Sequence, residues 1–133
     1  MIRSLITYFV LTLLLYPSCK NDKGKLAQPE IICITPDSVS FANDLIPLFN
    51  KHCNGSGCHA GTNPGGNLSL DSAAAYNQLM NPASGYVDTI NPSYSVLYAE
   101  MNSESNPMPP TGKLDKCSLE LVLKWIKQKA KNN

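Results

Sequence analysis

Apolar positions along this chain follow two regimes. Residues 5–16 form a continuous run in which only Thr7 and Thr12 are polar. The run is shorter than the roughly 20 apolar residues that span a bilayer. With Arg3 ahead of it, it predicts a secretory signal over residues 1–18. Residues 19–38 are mostly polar and carry Gly24, Pro29 and Pro36, a composition that predicts a tether. Ile31, Ile32, Cys33 and Ile34 interrupt it as a short apolar run that is expected to pack on the domain that follows, residues 39–133.

From residue 40 the spacing is helical. Phe41, Leu45, Leu48, Phe49 and His52 recur at threes and fours, which predicts a helix over 40–52 capped by Ser40 or Asn43. Pro47 lacks a backbone donor, so that helix must begin late or bend. Residues 53–67 hold five glycines and Pro64 and read as loop. Asp71 is expected to cap a short helix reaching Met80, and residues 81–85 break it. A further helix is expected over 92–101, with Pro92 in its first turn and Val96, Leu97, Tyr98 and Met101 on its buried side. Residues 102–112 are irregular and proline-rich. Asp115 then caps the clearest helix, with Leu119, Val122, Leu123 and Ile126 as its core stripe and Trp125 widening it. No strand of convincing length appears, so the fold class is all-α. These helices are short and few, and something apolar is expected between the glycine loop and the proline loop.

Composition changes this picture in one respect. The formal net charge is +1 over 133 residues, which gives no basic field for a nucleic-acid backbone. Loss of Arg3 with the signal leaves ten lysines against ten acids. The distribution is uneven. Residues 52–112 contain no Lys or Arg and four acids, whereas residues 113–133 contain six lysines and two acids. The molecule is dipolar. The lysines near the end of the last helix also suit its dipole.

Five cysteines cannot all pair with one another. Ser18-Cys19, directly after the apolar run, resembles a bacterial lipobox, a resemblance that implies lipidation of Cys19. The loop Cys53-Asn54-Gly55-Ser56-Gly57-Cys58-His59 has two thiols followed at once by a histidine, the arrangement of covalent c-type haem attachment. Two sulfurs must reach two vinyl groups on one porphyrin edge, and the adjacent histidine is then directed at iron. The usual gap between the cysteines is two residues and here it is four. The extra residues must bulge outward, which Gly55 and Gly57 make inexpensive. Zinc is a poorer reading, because Cys58 and His59 are neighbours and rarely both reach one tetrahedral ion.

With that loop, the preceding segment 41–49, the stretch Asn67-Leu68-Ser69-Leu70, Met108-Pro109-Pro110 and the closing helix 119–126, the chain resembles a small class I c-type cytochrome of the exported bacterial lipoprotein type. The resemblance covers residues 39–130. It implies the cytochrome c fold, with short helices packed around one covalent haem c. It implies attachment at Cys53 and Cys58, proximal ligation by His59 and distal ligation by Met108. First and last helices of that fold pack together, so Cys33 and Cys117 are expected to form a disulfide, two separate buried thiols being the alternative. Met80 and Met101 read as core, and His52 as a surface or packing histidine. A neutral thioether ligand such as Met108 raises haem potential.

The implied function is electron transfer rather than catalysis, in a periplasmic or outer-membrane lipoprotein held to the membrane by its lipid. The acidic stretch 52–112 favours redox partners with a basic docking patch. Two alternatives have their own signatures. A haem enzyme or sensor would leave the distal site open, and a haem-free exported module would rest on disulfides, including one between Cys53 and Cys58.

Overall fold

In the computed structural model, which describes residues 31–133, the first helical segment changes its winding part-way. Phe41–Leu45 is a π-helical turn, and it runs into the α-helix Ile46–His52 (α1). The wider turn resolves the difficulty posed by Pro47, which falls in the first turn of α1 where a missing N–H costs nothing. Ser40, not Asn43, is the cap: its hydroxyl accepts from the Asn43 N–H at 3.1 Å, while the Asp44 carboxylate accepts from the Ser40 N–H at 2.7 Å. This is a reciprocal capping box stretched by the π-turn. The remaining donors of this helix start go to Asn133, whose side-chain carbonyl takes the Phe41 N–H and whose main-chain oxygen takes that of Ala42.

Three further α-helices follow: α2 (Ala75–Leu79), α3 (Val96–Asn102) and α4 (Lys116–Lys127). Single 3₁₀ turns lie at Gly65–Asn67 and Pro92–Tyr94. Among the described residues every regular element is helical and none is a strand, in accord with the all-α expectation. The signal segment, Cys19 and the tether as far as residue 30 lie outside the described residues.

The core forms where the first and last helices meet. Phe41 is its hub, with its ring 5.2 Å from Trp125, 5.2 Å from Tyr76 and 6.3 Å from Phe49, centre to centre. Trp125, Val122 and Ile126 are fully buried on α4. Trp125 is therefore central to the stripe rather than an edge of it, and Leu123 is only half-buried. The polar ends of two hub rings are satisfied just beyond α4, where Trp125 Nε1–H donates to the Lys131 carbonyl and Tyr76 O–H to that of Ala130. Aromatic pairs at these spacings add about 0.5–1.5 kcal/mol each beyond their burial.

Several expectations need correction. Asp71 does not cap α2, which starts four residues later; its carboxylate accepts instead from the Gly61 N–H at 3.0 Å and so closes the preceding loop. The helix expected over 92–101 is two pieces, because Ser95 takes an extended ψ of 127° between them. Its buried hydroxyl accepts from the Asp88 N–H and donates to the Asp88 carbonyl, a local alternative to helical hydrogen bonding. Val96 is 40 % exposed, and Leu97 and Met101 form the buried side.

The apolar run 31–34 does not bury its isoleucines. Residues 31–39 form an extended strap along α4, held by the Cys33–Cys117 disulfide, by Lys124 on the Thr35 hydroxyl and by Gln128 on Asp37 and Val39. The disulfide closes a sequence separation of 84 residues, and such a closure typically contributes about 2–4 kcal/mol. Replacing Cys33 and Cys117 together with serine is expected to lower stability by about that amount. A thermal melt under non-reducing conditions reads it, and an unchanged midpoint would contradict it.

Candidate functional site

The faces that do not meet at the hub enclose a cavity of about 440 Å³. This lies within the roughly 300–1,000 Å³ of small-molecule and cofactor sites. Cys53, Cys58, His59 and Met108 all line it. Leu68, Leu70 and Leu97 supply buried apolar wall.

The thiol loop begins where α1 ends. The Cys53 and Asn54 N–H groups both donate to the Phe49 carbonyl, at 2.7 and 3.0 Å, so Cys53 leaves the helix at a fixed angle. The His59 N–H returns to the Cys53 carbonyl at 3.0 Å and closes the loop on itself. Between them, residues 55–57 stand exposed, the bulge that the four-residue gap requires. The Cys58 N–H donates to the Gly55 carbonyl across a tight turn, and Gly57 sits at its third position with φ 77°, a conformation that costs glycine little and other residues more. Gly57 is thus the glycine the turn needs, while Gly55 keeps a negative φ. The Gly65 N–H donates to the Cys58 carbonyl at 2.7 Å and ties the loop to the stretch that follows.

His59 is oriented from both sides. Its carbonyl accepts from the Leu70 N–H at 2.7 Å, and its Nδ1 lies 3.1 Å from the Leu68 carbonyl. A carbonyl only accepts, so Nδ1 carries the proton and Nε2 keeps its lone pair. That is the arrangement by which a backbone oxygen fixes the tautomer of a metal-binding imidazole. Asn54 braces the same stretch by donating to the Leu70 carbonyl at 3.0 Å. Leu68 and Leu70 alternate along extended backbone and so face the cavity together.

Met108 arrives from the proline loop. Its N–H donates to the Glu100 carbonyl at 3.0 Å, which ties it to the last turn of α3. Beyond it, the Gly112 N–H donates to the Pro109 carbonyl, and Lys113 pairs with Glu104 across the base of the loop. Both segments bearing candidate ligands are therefore pinned through backbone.

Two residues expected in packing roles also line the cavity. Met101 is 3 % exposed and belongs to the core, as its spacing implies, yet it also lines the cavity. His52, at the end of α1, is half-buried and lines it too. Spacing alone marks a residue as inward-facing without saying whether inward means core or cavity. Tyr86 and Glu100 complete the rim without any sequence signal for the role.

Cys53 and Cys58 are not bridged to each other. The chemistry of the set suits a haem c: two unbridged thiols, an imidazole with one free nitrogen and a thioether around an apolar space. No family model matches the chain, and neither a curated protein nor a solved structure does.

Burial pushes the Cys53 thiol up from 9.0 to about 11, and the neighbouring Cys58 adds to the effect. The thiolate is the reactive form. In the folded, haem-free chain, alkylation of Cys53 at pH 8 is expected to be roughly a hundredfold slower than in denaturant. The same shift makes stability fall as pH rises between 9 and 11, because the unfolded chain loses that proton first. Peptide mapping after timed alkylation checks the first expectation. Equal rates in the folded and unfolded chains would contradict it.

Proposed function

We propose that this protein is a monohaem c-type cytochrome of the small class I type, with the cytochrome c fold, carrying electrons between exported redox partners. The observation that carries the reading is the convergence of Cys53, Cys58, His59 and Met108 on one apolar-walled cavity from two separate loops. When bound, haem c supplies a one-electron iron couple.

The residues divide the work. Cys53 and Cys58 supply the sulfurs for two thioether links. His59 offers Nε2, held in that tautomer by the Leu68 carbonyl. Met108 offers a soft, neutral sulfur that favours the reduced state and raises the potential. Its N–H tie to the Glu100 carbonyl, with the stiffness of Pro109 and Pro110, would hold that sulfur in place for the iron. Leu68, Leu70 and Leu97 would present apolar surface to the haem. With His59 and Met108 both given to the iron, the protein would serve as a carrier rather than an enzyme.

The signal over residues 1–18 and the lipobox-like Cys19 support export and a lipid anchor, in the periplasm or at the outer membrane. The segment that lines the cavity carries acids and no Lys or Arg, so partners with a basic docking patch are favoured, most strongly at low ionic strength.

The ligand assignment is tested on the chain produced with a c-type maturation system. Met108→Ala is expected to abolish the methionine–iron charge-transfer band, convert the haem to a high-spin, ligand-reactive form and lower the potential. Met101→Ala is expected to keep the band. The opposite pattern would assign the sulfur to Met101, and a ligand-reactive haem in the unaltered protein would favour the open-site enzyme or sensor.

A further inference from the structure

The peptide that fixes His59 is itself held from behind. The Leu68 carbonyl lies 3.1 Å from His59 Nδ1 and accepts its proton. That carbonyl shares one peptide unit with the Ser69 N–H. A trans peptide is planar, and its C=O and N–H point in opposite directions. On the far side the Ser69 N–H donates to the side-chain carbonyl of Gln78 at 2.7 Å. Gln78 belongs to α2 and does not line the cavity. Its helix is firmly seated, since Ala75 and Leu79 are fully buried. One chain of hydrogen bonds thus runs from Gln78 Oε1 through the Leu68–Ser69 peptide to the His59 imidazole.

This chain acts in two ways. A planar unit anchored at its N–H cannot turn without losing that bond, so the carbonyl stays aimed at Nδ1. A peptide whose N–H is already donating is also a stronger acceptor at its oxygen. A stronger acceptor for the Nδ1 proton makes Nε2 a more basic ligand. The rest of the stretch is held separately. Asn54 donates to the Leu70 carbonyl, the Leu70 N–H donates to the His59 carbonyl, and the Asp71 carboxylate accepts from the Ser69 hydroxyl at 3.3 Å. None of these bonds touches the Leu68–Ser69 peptide. Among the described residues, the far side of that peptide is left to Gln78.

We propose that Gln78 is a positioning residue for the iron-binding imidazole, acting through the Leu68–Ser69 peptide to hold the tautomer of His59 and keep its Nε2 basic. The effect on iron rests on the cytochrome reading; the chain of hydrogen bonds does not.

The test uses the full chain produced with a c-type maturation system, unaltered and as Gln78→Leu and Gln78→Glu. Leucine removes the acceptor, and a glutamate carboxylate restores it. In the reduced protein, NMR follows exchange of the His59 Nδ1 proton with solvent. Gln78→Leu is expected to speed that exchange by about twofold to tenfold, the worth of one hydrogen bond. It is also expected to raise the ratio of reduced to oxidised protein at a fixed ambient potential, because a less basic imidazole favours the oxidised iron less. Gln78→Glu is expected to return the exchange rate to that of the unaltered protein or below it. Unchanged exchange in Gln78→Leu would overturn the proposal. Exchange as fast in Gln78→Glu as in Gln78→Leu would also overturn it, by showing that Gln78 only packs the stretch. An unaltered chain that carries no haem would instead defeat the cytochrome reading, and the proposal is then read on the haem-free protein from the nitrogen chemical shifts of neutral His59. There a proton on Nδ1 that moves toward Nε2 in Gln78→Leu would support it, and an unchanged tautomer would overturn it.

Discussion

The seating of Phe41 against Trp125 is the contact on which the rest of this structure depends. It fixes the start of the first described helical segment to the last turn of α4, and Tyr76 and Phe49 close around the same ring. Everything that brings the ends together follows from it. Asn133 can reach the open N–H groups at residues 41 and 42 because α4 already lies beside that helix start. Gln128 can take the Val39 N–H for the same reason. With faces of α1, α2 and α4 committed to this hub, apolar side chains of α3 and of the two long loops are left lining a cavity. The cavity is the result of that geometry; on the proposed reading, a haem would fill the gap that so short a set of helices leaves.

Rigidity at the site comes from main chain rather than from side-chain packing. The thiol loop is closed by the hydrogen bond from His59 to Cys53 and stitched to the following stretch through Gly65 and Leu70. Met108 is tied to α3 by one backbone bond and enclosed by the Lys113–Glu104 pair. Backbone anchors of this kind leave side chains free to turn to a ligand while their origins stay put. On the proposed reading, that is what an electron carrier needs, since small displacement between oxidation states keeps reorganisation small. Charge follows the same division, with acids in the segments around the cavity and lysines in and around α4.

Much of this was legible in the residues. Periodicity located the first and last helices, Asp115 located the start of α4, and the glycine and proline clusters located both loops. The thiol–histidine motif and Met108 were named from sequence, and they line one cavity. What was not legible depended on competition between local hydrogen bonds. Asp71 looks like a helix cap, but the Gly61 N–H claims its carboxylate. Ser95 looks helical, but its hydroxyl finds Asp88. The isoleucines of the strap look like core, but a disulfide and three polar side-chain contacts hold their backbone against α4 and leave the side chains outside. Nor can periodicity distinguish a core wall from a cavity wall, which is why Met101 and His52 read as ordinary packing.

The central claim is that the two thiols of the loop exist to hold haem c. Peptide mass mapping of the exported chain, after denaturation and alkylation, tests it most directly. The account predicts that the peptide carrying Cys53 and Cys58 bears one haem, that neither sulfur takes alkylating reagent, and that Cys33 remains joined to Cys117. A loop peptide of unmodified mass, with its two cysteines alkylated or bridged to each other after production with a maturation system, would contradict it.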